Sequence, residues 1–351
     1  MKNNFSCKPI FIKNDKSAQK LLKQKPYTVF VDAFTPQLKE LFFIQNHQYI
    51  GEDKKKVYKT KDFKNYCIKH KNNYIYVYYS WSNTLVKIIK KEEYLILKTN
   101  RNKNLITEKE QKELRDLKIG VFGMSVGSNI AFVLTQAGIS NSITIADFDN
   151  LDTTNLNRIL AGVHQIGLNK TIIAARRIYE DNPFAKVTTM MKGINSKNLE
   201  SLLKNKKLDC IIEEIDDITM KIETRILAKK YKVPVIMITD NGDGVVLHIE
   251  RYDLGYKKIF NKEFYYFKKI IKKPITKESA GFIIMNDIVG GVKNVDPNTL
   301  RSVKDVLDRK LVSWSQLGSA AILGGVVATY AVKQISKSKI LYIRKNYNLS
   351  I

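Results

Sequence analysis

The chain has 351 residues and 44% of them are hydrophobic, enough to bury a sizeable core and too apolar for a disordered chain. Its net charge of +26 is uneven: 23 Lys/Arg against 10 Asp/Glu in residues 1–110, 18 against 17 in 111–250 and 19 against 7 in 251–351, so the excess sits in two flanks. Cys7, Cys67 and Cys210 lie far apart with no CxxC pair, which excludes a disulfide framework or a four-cysteine zinc site.

Residues 1–98 read as a small N-terminal α+β domain of unknown role. Its first five residues are polar, with no apolar run of signal-peptide length, and a reducing cytoplasm is the expected compartment. Tyr74–Ser80 is aromatic and β-branched, hence a strand, and Glu93–Leu97 reads as another. From Leu117 the pattern changes. Strands are expected at Lys118–Gly123, Ser142–Asp147, Ala185–Met190, Leu208–Ile215 and Val233–Thr239. Helices are expected at Ser128–Ala137, Lys170–Tyr179 and Ile218–Tyr231. This alternation predicts an α/β fold: a Rossmann-like, mostly parallel sheet with helices on both faces. The domain is expected to cover 99–337, leaving 338–351 as a tail or edge strand.

Leu311–Val332 is uncharged and long enough to span a bilayer. It also carries Ser313, Ser315, Gln316, Ser319, Thr329 and glycines 318, 324 and 325, so a buried, closely packed helix is expected and no membrane span. The basic flanks could meet an acidic protein, RNA or a membrane, but scattered surface lysines are the preferred reading and nucleic acid is not favoured. Tyr256–Lys273 interleaves aromatic and basic residues, a pattern that could stack on single-stranded nucleic acid or lie on a membrane; the preferred reading is a lid or crossover loop packing its aromatics on the domain. His164 and His248 have no metal-ligand spacing and read as structural.

The first strand-to-helix turn holds Gly123, Ser125 and Gly127. Glycines there let backbone N–H groups and a helix N-terminus approach a phosphate, although the turn is not a full GxGxxG and alone could be a plain tight turn. Asp147 follows 24 residues after Gly123, where an acid reaches ribose hydroxyls. Both features also fit an NAD(P) enzyme or flavoprotein partner. The run Asp147, Asp149, Asn155, Arg158, followed by Lys170, favours ATP, because an enzyme breaking an α–β phosphate bond needs cations for the departing pyrophosphate. Glu213, Glu214, Asp216 and Asp217 end the fourth strand on the edge where such sheets bind ligands. One carboxylate there could hold Mg²⁺ and another could cap the next helix.

These residues resemble the ThiF/MoeB/HesA adenylyltransferases, related to ubiquitin-activating enzymes. The family's DxDxVxxSNLxRQ motif is similar to Asp147–Ile159, its GxxK lysine to Lys170, and the aspartate of its DNxxxR motif to Asp216. Gln316–Ile335 is similar to its closing helix, and Arg101 to the arginine that reaches the ATP of a neighbouring subunit. The resemblance implies a homodimer that uses ATP and Mg²⁺ to adenylate a C-terminal carboxylate, often of a small ubiquitin-like protein. Asp147 would bind ribose; Asn155, Arg158 and Lys170 the phosphates; Asp216 the metal and reacting centre. The departures are Ile159 for Gln, Asp217 for Asn, Lys221 for Arg, and no cysteine between Asn241 and the closing helix. The expected activity is therefore adenylation without a thioester, unless the fold is a non-catalytic nucleotide-binding scaffold. Val126-Gly127-Ser128, Ala161–His164, Glu213-Glu214 and Glu250–Asp253 are similar to a bacterial branch often found beside nitroreductase-like domains.

Overall fold

The computed structural model describes residues 6–349; the first five residues and the last two, which belong to the expected N-terminal domain and tail, lie outside the described residues. The chain forms two compact units, Met1–Gln111 and Lys112–Ile351.

The first unit contains β1 (Ile10–Ile12), α1 (Asp15–Gln24), β2 (Val29–Asp32), α2 (Phe34–Gln45), α3 (Lys54–Val57), α4 (Lys61–His70), β3 (Tyr74–Tyr79), β4 (Thr84–Ile89) and α5 (Lys91–Thr99). Its sheet runs β1-β3-β4-β2, with β3 antiparallel to both neighbours and β2 parallel to β4. The strand expected at Glu93–Leu97 is instead the middle of α5. Tyr94 and Leu97, three residues apart, pack with Phe34, Leu38 and Leu41 of α2 and Ile89 of β4. Glu92 and Glu93 in the first turn and Lys98 in the last suit the helix dipole, so local charge and tertiary packing outweigh the β-prone run.

α6 (Glu108–Asp116) leads into the second unit. There follow β5 (Lys118–Phe122), α7 (Val126–Gln136), β6 (Ser142–Ala146), α8 (Lys170–Asp181), β7 (Lys186–Met190), α9 (Ser196–Lys204), β8 (Cys210–Glu213), α10 (Ile218–Tyr231), β9 (Val235–Asn241) and β10 (Gly244–Glu250). The remainder holds α11 (Phe264–Ile270), α12 (Lys277–Ile283), α13 (Pro297–Leu307), α14 (Gly318–Ile335) and β11 (Tyr342–Tyr347). The sheet order is β11-β10-β9-β8-β5-β6-β7. β5 to β9 are parallel; β10 runs antiparallel to β9, and β11 antiparallel to β10 at the edge.

β5 and β6 are buried after their first residue and β8 throughout, which explains why they read as continuous apolar runs. From β5 the chain steps to β6 on one side and later to β8 on the other, so the crossovers change face at β5. α7, α8 and α14 pack together, and α9 packs with α10. The reversal falls between β5 and β8, and open α/β sheets bind ligands at the C-terminal strand ends of such a reversal.

α14 is the buried part of the uncharged segment. A Cβ at Gly324 would lie 3.0 Å from Val126 and 3.1 Å from Ile238, and one at Gly325 3.1 Å from Val133, so these glycines set how closely α14 approaches α7 and β9. Among the described residues no helix is long and apolar enough to cross a membrane. Tyr256, Phe260 and Phe267 of the aromatic–basic segment are buried, the latter two beside Ile218 and Ile222 of α10. His248 is buried with Nε2 2.8 Å from the Ile288 carbonyl, and burial lowers its pKa to about 3, so it stays neutral. No cluster of metal-ligating residues surrounds either histidine among the described residues.

Candidate nucleotide site

Gly123 ends β5 with φ +91°, and its N–H donates to the Ala146 carbonyl at 2.8 Å. A Cβ there would stand 2.2 Å from the Glu214 carbonyl oxygen, so both the dihedral and the space require glycine. Gly127 lies in the first turn of α7, where a Cβ would meet Val121 at 3.1 Å and Met124 at 3.2 Å. The turn therefore hugs the end of β8 and leads into α7's N-terminus.

Asp147 follows β6, and its Oδ2 accepts from Met124 N at 2.6 Å while Oδ1 accepts from Asp149 N at 2.8 Å. It ties the glycine turn to the next loop, and burial raises its pKa against the pull of these hydrogen bonds. Asp149 Oδ2 accepts from Lys170 Nζ at 2.8 Å. Asn169 caps α8 by accepting from Thr171 N, and its amide donates to the carbonyls of Asp147 and Asp149. Lys170, only 7% exposed, is thus held beside Asp149 at the start of α8. Asn155 Oδ1 accepts from Asp152 N at 3.1 Å and closes a single 3-10 turn. That bond gives Asn155 a structural duty in the loop.

Arg158 Nε donates to Ser125 Oγ at 2.9 Å, and its Nη1 donates to the Thr154 carbonyl at 3.2 Å and Asn157 Oδ1 at 2.9 Å. Asn129 on α7 donates to the Arg158 carbonyl at 2.8 Å. Burial lowers the Arg158 pKa, opposed by the negative charges of Asp240 and Asp216. Arg158 is therefore fastened to the glycine turn within electrostatic reach of two carboxylates.

The acidic run after β8 divides its labour. Glu213 is fully buried and pairs with Lys221 Nζ at 3.0 Å and Arg225 Nη1 at 2.7 Å; burial raises its pKa, but those cations hold it below the ordinary value. Glu214 lies beneath the glycine turn, where its Oε1 accepts from Ile238 N at 2.8 Å and burial raises its pKa well above the ordinary value. Asp217 caps α10 by accepting from Met220 N at 2.6 Å. Asp216 is exposed and bears electrostatically on Arg158 and Asp240.

Asp240, near the end of β9, did not stand out in the sequence. Its Oδ2 accepts from Gln316 Nε2 at 3.2 Å, while the buried Oδ1 has no partner. Burial lifts its pKa to about 6, against the opposing pulls of Gln316 and Arg158. The available signal was an acid just past an apolar strand on the ligand-binding edge. Gln316 also accepts, through its carbonyl, from Asn157 Nδ2 at 2.8 Å, and Ser319 Oγ donates to Asp243 at 2.8 Å. The start of α14 thus braces both the Arg158 loop and the end of β9.

Gly123, Ser125, Gly127, Asp147, Asp149, Asn155, Arg158, Lys170 and Asp216 all belong to this edge of the second unit. Arg101 belongs to the first unit, exposed on a single 3-10 turn, Asn100–Asn102. Cys210 is buried in β8 with its thiol pKa pushed up by burial, so it cannot serve as an exposed thiolate.

Over 179 residues the chain is 38% identical to an uncharacterized Mycobacterium tuberculosis protein, MT1398; the match covers 51% of this chain and 24% of that protein. Over 142 residues it is 30% identical to the Escherichia coli tRNA threonylcarbamoyladenosine dehydratase, covering 40% and 52% respectively. The chain thus spans about a quarter and about half the length of these relatives. The structure of the Escherichia coli dehydratase with AMP aligns with a TM-score of 0.50 at 20% identity, over 68% of this chain and 94% of that one, and shares the fold. Residues 98–350 match the ThiF family, and the chain belongs to that family.

Proposed function

We propose that the chain uses ATP to adenylate a carboxylate of a protein, peptide or small molecule, with Mg²⁺ as cofactor. Membership of the ThiF family makes it an adenylyltransferase-type enzyme. The observation that carries the reading for this chain is Arg158, anchored on Ser125 of the glycine turn and within electrostatic reach of Asp216 and Asp240. A cation and two carboxylates at a phosphate-binding turn suit phosphoryl chemistry and have no purpose in hydride transfer.

In this reading a substrate carboxylate oxygen attacks the α-phosphorus of ATP. A bond forms between that oxygen and phosphorus, the bond to the β-phosphate bridging oxygen breaks, and pyrophosphate leaves with the electron pair. Backbone N–H groups of Ser125, Val126 and Gly127 at the start of α7 receive phosphate, and Arg158 and Lys170 balance the charge that grows as pyrophosphate departs. Asn155 holds the loop that presents Arg158. Asp147 would accept from ribose hydroxyls with its remaining lone pairs. The unpartnered Asp240 Oδ1, with Asp216 nearby, fits a magnesium ion, which prefers carboxylate oxygens and would supply charge neutralisation on the phosphates. Because Cys210 is buried and none of the cysteines follows Asn241, the acyl-adenylate passes directly to its final nucleophile.

A homodimer is part of the proposal. Ile322, Val326 and Tyr330 recur every four residues on α14 and are about half exposed, and Leu160, Val163 and Ile166 are exposed just after Arg158. Arg101 of one copy would then serve the ATP of the other.

ATP–pyrophosphate exchange, measured with candidate carboxylates, tests the reading. Asp216→Asn and Arg158→Ala should each reduce exchange at least a hundredfold while leaving the fold intact. Full exchange by Asp216→Asn would remove its assigned role, and tight NADH binding without ATP binding would overturn the whole reading in favour of an oxidoreductase. ATP binding with no turnover across many carboxylates would leave a scaffold.

A further inference from the structure

The segment Tyr256–Lys273 carries seven lysines against one glutamate. Its apolar side chains anchor it: Tyr256, Ile259, Phe260 and Phe267 are buried, and Phe264, Ile270 and Ile271 pack in the same cluster as Ile218 and Ile222 of α10. What remains outside is charge and two tyrosines. Among the described residues Lys258 pairs with Glu263 at 3.3 Å and Lys262 lies 3.9 Å from Asp287, but Lys257, Lys268, Lys269, Lys272 and Lys273 have no carboxylate at ion-pair distance.

The last turn of α10 adds another cation. Lys229 Nζ lies 3.8 Å from the centroid of the Phe264 ring, and Lys268 Nζ lies 5.3 Å from the same centroid. Lys229 also donates to the Lys257 carbonyl at 3.2 Å. Its pKa is lowered by burial and then by the like charges of Lys268 and Lys257, with Glu263 opposing. Two ammoniums are thus gathered at one ring, with the charge of Lys257 close enough to act on Lys229 and only Glu263 opposing. Beside them Tyr265 is 77% exposed, and Tyr266 is held edge-on against Phe267 at 4.9 Å.

A membrane surface fits poorly, because the segment's apolar side chains are committed inward and leave no apolar face for acyl chains. A single strand uses both features at once, its phosphates taking the lysines and its bases the exposed tyrosine ring. We propose that this face, made by the end of α10 and the Tyr256–Lys273 segment, binds single-stranded nucleic acid. Lys229, Lys257 and Lys268 meet phosphates, and Tyr265 stacks on a base. The face is separate from the nucleotide site: Lys229 lies near the far end of α10 from Ile218, roughly 16 Å along the axis at the usual helical rise. The inference therefore stands independently of the adenylation reading.

Fluorescence anisotropy of the full chain with a labelled 20-nucleotide oligouridylate, over a salt series, tests it. The wild type should bind, and binding should weaken steeply with salt, by about 0.7 log units per tenfold salt for each phosphate neutralised. Lys257→Glu/Lys268→Glu should weaken binding at low salt at least tenfold and flatten that slope, and Tyr265→Ala should cost at least about fivefold at any salt. The thermal unfolding midpoint and far-ultraviolet circular dichroism of both variants should match the wild type and report that they are folded. No binding by the wild type at low salt would overturn the proposal. So would equal binding by both folded variants, which would place the nucleic acid elsewhere on the basic surface. Saturable binding to phosphatidylserine vesicles or polyglutamate that Tyr265→Ala leaves intact, with none to oligouridylate, would reassign the face to another class of partner.

Discussion

Arg158 Nε and Ser125 Oγ meet at 2.9 Å, joining the loop after β6 to the turn after β5. The guanidinium is thereby fixed by a neutral hydroxyl and left within electrostatic reach of charged groups. Removing the two partners should have unequal effects. Arg158→Ala deletes the charge and should lower ATP–pyrophosphate exchange by about 10²-fold or more. Ser125→Ala deletes only the anchor and should cost about tenfold or less, with ATP affinity nearly retained. Equal losses would mean that Arg158 acts only as a loop brace.

Lys170 is a second cation of the proposed clamp, buried beside the half-exposed Asp149. Lys170→Met should weaken ATP binding by calorimetry about ten- to hundredfold, whereas Asp149→Asn should change it only a few-fold. If Asp149→Asn is as damaging as Lys170→Met, the pair is structural and the lysine does not reach phosphate.

Asp240 makes the site pH-sensitive. A carboxyl with a pKa near 6 is neutral at pH 5 and charged at pH 7, so Mg²⁺ affinity and exchange should both rise across that interval. Stability moves the other way. The folded state holds this proton up to about pH 6 and the unfolded chain only to the ordinary value of 3.8, so folding should weaken as pH rises between them. Asp240→Asn should consequently be more stable at pH 7, by about 1–3 kcal/mol at most, while losing metal binding. Denaturation of both proteins at pH 5 and 7 in the absence of Mg²⁺ checks the sign.

Arg225 is fully buried, with Nε donating to Glu250 at 2.6 Å, Nη1 donating to Glu213 at 2.7 Å, and its guanidinium carbon 4.0 Å from the Phe260 ring centroid. It bolts β8, α10 and β10 together behind the site. Arg225→Met leaves buried Glu250 without its cation and Glu213 with Lys221 alone, and should destabilise by about 3–5 kcal/mol. A triple variant that also replaces Glu213 and Glu250 with Gln should recover part of that loss, as chemical denaturation would show.

The parallel core was legible because β5, β6 and β8 are buried on both faces and so leave unbroken apolar runs. That Gly123 and Asp147 are neighbours was legible because a glycine turn and an acid after the next strand occupy fixed offsets, and Met124 N joins them. Asp240 was not, since its meaning comes from lying within electrostatic reach of Arg158, a relation that no local window contains. The same holds for Arg225 and Glu250, which sit on different elements. Glu93–Leu97 misled because a short β-prone run cannot announce that α2 waits to receive one helical face. The acidic run was read correctly as containing a helix cap, but only the fold showed that Asp217 takes it and leaves Asp216 toward Arg158.

Gln316 and Gly318, at the entry to α14, bear on the order in which the chain can fold. Gln316 grips both Asp240 and Asn157, and a Cβ at Gly318 would stand 2.3 Å from the Asn157 carbonyl. During translation Gly123, Asp147 and Arg158 emerge long before α14. Until the ribosome has released Gly318 and the helix behind it, the Arg158 loop lacks its brace and the end of β9 lacks its partner. If the site takes ATP as proposed, nucleotide-dependent stabilisation of the growing chain should begin only when α14 docks.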